Sequence, residues 1–260
     1  MTDVLAAEWR KLWSARSTRL VLAVVAASVG LMALLAWYAA NLWDGLPPAR
    51  RSTMGLAPLP GLLEWIASLC FAVLGVISFT GEYGTGMIRL TFTAMPSRRS
   101  VLAAKAAVVG ALALACGLAA VAATSLLGRA IIGGRTMRGQ PTEPFLQELP
   151  QLGAMGLSIT TFALLGLFAG AIARSTAAAV AVLVAIWYVI PIVVNNVPAP
   201  WDERLGSVLP GALAGQMAGT GNPYSVGGSL LSPLAALAVT AAYVLVPYGL
   251  AAAALSRRDA

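Results

Sequence analysis

Few residues in this chain are equipped for chemistry, and the types that are missing decide as much as those present. Ten acids stand against seventeen bases, and none of the 260 residues is a histidine. Without an imidazole there is no Ser-His or Cys-His nucleophile pair and no HExxH zinc site. The aspartates Asp3, Asp44, Asp202 and Asp259 are scattered, so no paired-aspartate metal site appears. No G-x-x-x-x-G-K-[ST] run occurs, and neither lysine follows a glycine, so the chain has no P-loop for ATP. Gly81, Gly84 and Gly86 lack both the preceding strand and the spacing of a dinucleotide fingerprint. Cys70 and Cys116 fall inside apolar runs and read as small buried hydrophobes. The sequence predicts no catalytic residue, no metal site and no cofactor held by this chain.

One polar stretch stands out, Ser78–Lys105. It carries Glu82, four bases (Arg89, Arg98, Arg99 and Lys105), the three glycines above and Pro96. A connection between two membrane helices needs far fewer residues, so the stretch is read as a recognition element. Thr85–Ala94 is long enough for a helix roughly 15 Å in length. Glu82 near its start suits the helix dipole, and Pro96 ends it. Arg98, Arg99 and Lys105 are expected to anchor the junction at anionic headgroups.

The elements that must position this stretch are membrane spans. The chain is 59% hydrophobic and 10% charged, with mean hydropathy +0.82, whereas a soluble domain carries about 25% charged residues. Six apolar runs are long enough to cross, at about 20–40, 61–79, 101–127, 152–173, 177–197 and 233–255. The first is too long for a cleavable signal peptide. Before it, a helix over about 3–16 is amphipathic. Leu5, Trp9, Leu12 and Trp13 share one face, opposite Asp3, Arg10, Lys11 and Ser14. Tryptophans beside basic residues (Trp9, Arg10, Trp13) suit a helix lying in the headgroup layer. Arg174-Ser175-Thr176 predicts a very short turn between spans four and five. Residues 129–151 read as a turn-rich linker. Pro198–Ser232 is half apolar and reads as a re-entrant or interfacial helix pair.

With the N-terminus inside, eleven bases fall on the inner segments and six on the outer ones. That bias predicts both termini in the cytoplasm, together with the loop at about 80–100. The +7 net charge is thus a topology signal, and no nucleic-acid partner is expected.

The residues Glu82, Gly84, Thr85-Gly86, Arg89, Leu90, Pro96, Arg98 and Lys105 resemble the signature of the ABC type-2 permease family. The segment Glu8-Trp9-Arg10-Lys11-Leu12, the six spans and an outer re-entrant segment before the last span extend that resemblance over the whole chain. It implies an all-α membrane protein forming a single permease domain over 1–260. It further implies export of an amphiphilic drug, lipid or peptide across a bacterial inner membrane. ATP and Mg would be bound by separate ATPase subunits docking on residues 82–99, with Glu82, Thr85, Gly86, Arg89, Pro96, Arg98 and Arg99 as coupling residues. A second permease copy or a related permease would complete the pathway. The alternative is an ion- or proton-coupled secondary transporter, or a membrane accessory protein without an ATPase. A secondary transporter would depend on Glu64, which the sequence places near the outer interface beside Trp65, with Pro191, Pro233 and Pro247 as helix breakers.

Overall fold

A computed structural model describes residues 2–51, 53–84, 98–140, 144–220 and 231–257, with the side chains of Thr2, Asp3, Arg98 and Arg257 excepted. Among the described residues six helices are long and apolar enough to cross a membrane. These are α2 (Arg16–Gly45), α4 (Leu59–Gly84), α5 (Arg98–Ile132), α6 (Phe145–Ala173), α7 (Thr176–Asn195) and α10 (Pro233–Arg257). The protein is a multi-pass integral membrane protein. Shorter helices are α1 (Thr2–Ser14), α3 (Pro48–Arg51), α8 (Trp201–Val208) and α9 (Pro210–Met217). Among the described residues the only extended pairing is an isolated bridge between Gly55 and Arg138.

The helices alternate in direction through six spans, so α1, Gly84, Arg98 and Arg174 share one end of the bundle, here called basal. The opposite, distal end holds α3, the 133–140 turn and the α8–α9 pair. Between α6 and α7 only Arg174 and Ser175 are non-helical. Arg174 adopts a left-handed conformation (φ 53°), and its N–H donates to Gly170 O at 2.9 Å. Ser175 then caps α7 by accepting from Ala178 N–H.

The centre of the bundle is the contact between α4 and α6, and glycine makes it possible. A Cβ added at Gly166 would overlap the Ala72 carbonyl oxygen, and one at Gly75 would overlap the Ala163 carbonyl. One turn further on, a Cβ at Gly170 would lie 3.0 Å from Val76 O. Gly166 meeting Ala72 while Gly170 meets Val76 shows that α4 and α6 run parallel. Backbones meet this closely only where one side lacks a side chain. Around the seam, Phe71, Phe79, Phe168, Leu74 and Leu167 are all but fully buried. The outer helices present Leu31, Leu34, Trp37, Leu237, Leu245 and Leu250 outward, as lipid-facing spans require.

Three local features differ from the sequence expectation. Residues 145–151, read as linker, form the first turns of α6, because Glu148 is fixed by Arg129 and Ser125 of α5 at 2.9 and 2.5 Å. Pro233 starts α10 and breaks nothing, since the first helical position needs no N–H donor. Pro191 follows a π-helical turn at Ala185–Val189 within α7. Its missing N–H and ring disturb the bond toward Trp187 O, and the wider turn absorbs that disturbance.

Leucine at Gly166 is expected to part the α4–α6 seam and lower the thermal unfolding midpoint in detergent, in line with about 1–3 kcal/mol for overpacking a tight core. Alanine at Gly30, with nothing within 4 Å of the added carbon, should leave the midpoint unchanged.

Candidate functional site

The densest group of functional side chains lies at the basal end, where α1 crosses the ends of α4 and α5. Each element delivers a charge from within an apolar stripe. On α1, Glu8 stands one turn after Val4 and one before Leu12, and all three are buried. On α4, Glu82 occupies the last turn beside the buried Phe79. On α5, Lys105 follows the buried Val101 and Leu102 and precedes Val108 and Val109. Lys11 closes the group from the edge of α1, with its side chain a third exposed.

These four charges form one network. Lys105 Nζ donates to Glu8 Oε2 at 2.6 Å, to Glu82 Oε1 at 2.7 Å and to Ser78 O at 3.3 Å. An ammonium has three donors, and each finds an acceptor here. Lys11 Nζ donates to Glu8 Oε1 at 2.8 Å and to Glu82 Oε1 at 3.1 Å. Two carboxylates and two ammonium groups cancel, which is what permits Glu8, Glu82 and Lys105 to be 5%, 8% and 4% exposed. Burial works against the charged form of Glu8, but the Lys105 and Lys11 ammonium groups outweigh it and hold the carboxyl below the usual range. Burial likewise pulls Lys11 down, while its bonds to Glu8 and then Glu82 carry it above the ordinary lysine value.

The residues singled out from the sequence divide accordingly. Glu82 belongs to the α4 terminus, with its carboxylate turned into the bundle, and the helix expected over 85–94 lies outside the described residues. Lys105, expected among headgroups, is an interior cation because two carboxylates compensate it there. Arg99 is exposed at the start of α5, and Arg98 is described in its backbone alone. Thr85, Gly86, Arg89 and Pro96 lie outside the described residues. On α1, Trp9 and Trp13 are exposed and meet edge-on at 5.8 Å between ring centres. Arg10 is also exposed. The face turned to the bundle is therefore Val4–Glu8–Leu12 and not the tryptophan side. Sequence reasoning gave Glu8 no role and set Lys11 on the polar face. A signal existed: Lys11 and Lys105 are the only lysines among seventeen bases, and both are used here. A flexible stem with a compact three-donor charge fits between converging carboxylates better than a planar guanidinium does.

Two other acids stand apart from the cluster. Glu64 lies in the second turn of α4, near its distal end, and is buried facing Ser158 of α6. The α4–α6 contact covers its flank. At the distal end Arg135 grips Asp44 with two bonds, at 3.0 and 2.7 Å, tying α2 to the 133–140 turn.

Replacing Lys105 with Met leaves two buried carboxylates with one partial partner. The expected loss is about 3–5 kcal/mol, read as a lower unfolding midpoint and faster proteolysis of α1. Adding Glu82→Gln to that variant should recover part of the loss, because the two residues are coupled. The pH dependence follows from the shifts. The depressed Glu8 pKa adds stability above the ordinary glutamate range, which is lost as pH falls through the folded value. The raised Lys11 pKa adds stability below the ordinary lysine value, which is lost at strongly alkaline pH. Docking of α1, followed by proteolysis, should hold across neutral pH and weaken at acid pH.

The geometry is that of a membrane bundle whose basal surface is braced by ion pairs, with no metal-binding group among the described residues. A family model described as ABC-2 family transporter protein matches residues 4–192, from α1 into α7. No curated protein matches the chain at a significant level. With well over half of the 260 residues matched, the chain belongs to the ABC-2 transporter family and is a membrane permease subunit of an ABC transporter, a transport component and not itself a catalyst.

Proposed function

We propose that this permease exports an amphiphilic substrate of the drug, lipid or peptide class across a bacterial cytoplasmic membrane. It works as one half of a dimeric pathway, either with a second copy of itself or with a related permease. Separate ATPase subunits, which bind ATP and Mg, dock on residues 82–99. Both termini and the basal end are cytoplasmic in this reading, which the excess of basic residues at that end supports. α1 lies in the inner headgroup layer with Trp9 and Trp13 toward lipid, and α8–α9 form the outer re-entrant segment.

The observation that carries the coupling reading is the Lys105 network. It ties α1 to both spans that flank residues 85–97, α4 through Glu82 and α5 through Lys105 itself. A displacement of the intervening segment by an ATPase is therefore delivered to three elements together. From α4 it passes across the glycine seam to α6, where Gly75 and Gly166 leave no slack. Thr85, Gly86, Arg89, Pro96, Arg98 and Arg99 supply the docking surface, and Glu82 transmits its movement.

Purification of the tagged chain in mild detergent should recover a subunit with ATP hydrolysis activity. Arg89→Glu combined with Arg99→Glu should lower that recovery several-fold without moving the permease's own unfolding midpoint. Transport by the purified chain in liposomes under an ion gradient alone would overturn the reading.

A further inference from the structure

Six bases fall on the segments that the charge bias assigns to the outer side, and four of them gather at one corner of the distal end. These are Arg50 and Arg51 on α3, and Arg135 and Arg138 in the 133–140 turn. Backbone bonds bring the two segments together. Met54 N–H donates to Arg51 O at 3.3 Å, and Arg138 N–H donates to Met54 O at 3.1 Å. Leu56 N–H returns a bond to Arg138 O at 2.9 Å, so the turn lies along the chain that leaves α3. Asp44, at the end of α2, ties in the rest. Its carboxylate holds Arg135, and its carbonyl accepts from Arg51 Nη2 at 3.1 Å.

The fold accounts for two of these arginines. Arg51 covers the end of α2, donating to Leu46 O at 3.0 Å as well as to Asp44 O, with its guanidinium 4.4 Å from the Trp43 ring centre. Arg135 covers the end of α5, donating to Ile131 O and Ile132 O at 3.2 and 3.0 Å besides gripping Asp44. Cations are favourable at helix C-termini. Arg50 and Arg138 have no such task. Both are exposed, and among the described residues neither guanidinium has a partner. Asp44 is the one acid bonded to the group among those residues, so four positive charges face one negative charge. A free guanidinium offers a planar fork of donors that matches a phosphate.

The location says which phosphate. Leu34, Trp37, Tyr38 and Leu42 lead along α2 to this corner with exposed side chains, and Trp43 lies beneath Arg51. Tryptophan and tyrosine collect at headgroup level, so the arginines just beyond them stand among lipid phosphates. An excess of positive charge favours lipids of net negative charge. A zwitterionic headgroup brings an ammonium that the same arginines repel.

We propose that the distal corner is a binding surface for anionic phospholipid headgroups, held through their phosphates by Arg50 and Arg138, with Arg51 and Trp43 as its fixed base. The site lies at the end of the bundle opposite the segment on which an ATPase is placed, and it does not depend on that coupling.

The test is native mass spectrometry of the full chain, purified in micelles doped in turn with phosphatidylglycerol, phosphatidylcholine and soluble glycerol phosphate. Phosphatidylglycerol should be retained at least five-fold more than the other two. Arg50→Gln combined with Arg138→Gln should cut that retention at least three-fold. The unfolding midpoint of the lipid-free protein should not move, because neither side chain holds the fold. Arg10→Gln with Arg16→Gln removes two exposed bases at the basal end and should cut retention less. A larger loss from the basal pair than from the distal pair overturns the assignment, as does a distal pair without effect. Equal retention of the choline lipid overturns the preference for net negative charge. Equal retention of glycerol phosphate makes the ligand a soluble phosphate and overturns the lipid. A dimer that the distal substitutions split while lipid retention stays intact makes the corner a contact between copies, and likewise overturns the proposal.

Discussion

The ammonium of Lys105 sits where three separate elements converge, and its three protons go to Glu8 on α1 and to Glu82 and Ser78 O on α4. Removing any one acceptor would leave a buried donor unsatisfied, and removing the lysine would strand two carboxylates. Interior charges of this kind are costly to desolvate and hold only when each one is compensated. The basal end is consequently not a set of independent helix termini. The N-terminal helix, the end of the second span and the start of the third form one braced unit.

The second constraint is steric. Lipid tails are as apolar as leucine, so spans in a bilayer gain little from burying hydrophobic surface against each other, and close backbone packing takes its place. The α4–α6 seam relies on that, with Gly75 on one helix and Gly166 and Gly170 on the other set against carbonyl oxygens. A seam of backbone against backbone has little compressibility. Along this stretch α4 and α6 are set against each other with no side chain between them. The electrostatic brace and the glycine seam share α4, which makes that helix the connection between the basal surface and the middle of the bundle.

The distal end is held by a different kind of contact. Arg135 on Asp44, Arg129 on Glu148, and Gln140 on the carbonyls of Leu56 and Ala57 fasten loops to helix ends. Gln216 ties α9 to Ser207 O on α8 and to Leu231 N. Asp44 and Arg135 are 91 positions apart and Leu56 and Gln140 are 84 apart, so this end too is fastened across long stretches of chain, but by pairwise bonds and not by one shared network.

Much was legible before any coordinates. Runs of twenty apolar residues have one physical solution in a bilayer, because every backbone polar group must be satisfied within its own segment, so six helical spans follow from hydropathy. The two-residue turn at Arg174-Ser175 and an amphipathic first helix follow from equally local signals. The family resemblance too was carried by residues close together in sequence. What the tertiary structure decided is which charges meet. Glu8, Lys11, Glu82 and Lys105 are separated by as many as 97 positions, and each alone resembles a topology anchor or a solvated helix face. Their burial depends on a net charge of zero, a property of the four together that no single stretch displays. In the same way Gly166-x-x-x-Gly170 is a frequent pattern in alanine-rich helices, and it acquires meaning only when Gly75 arrives opposite. Local sequence therefore determined the spans, while the start of α6, the compensation of charge and the closeness of backbones, all relations between distant residues, were settled by packing.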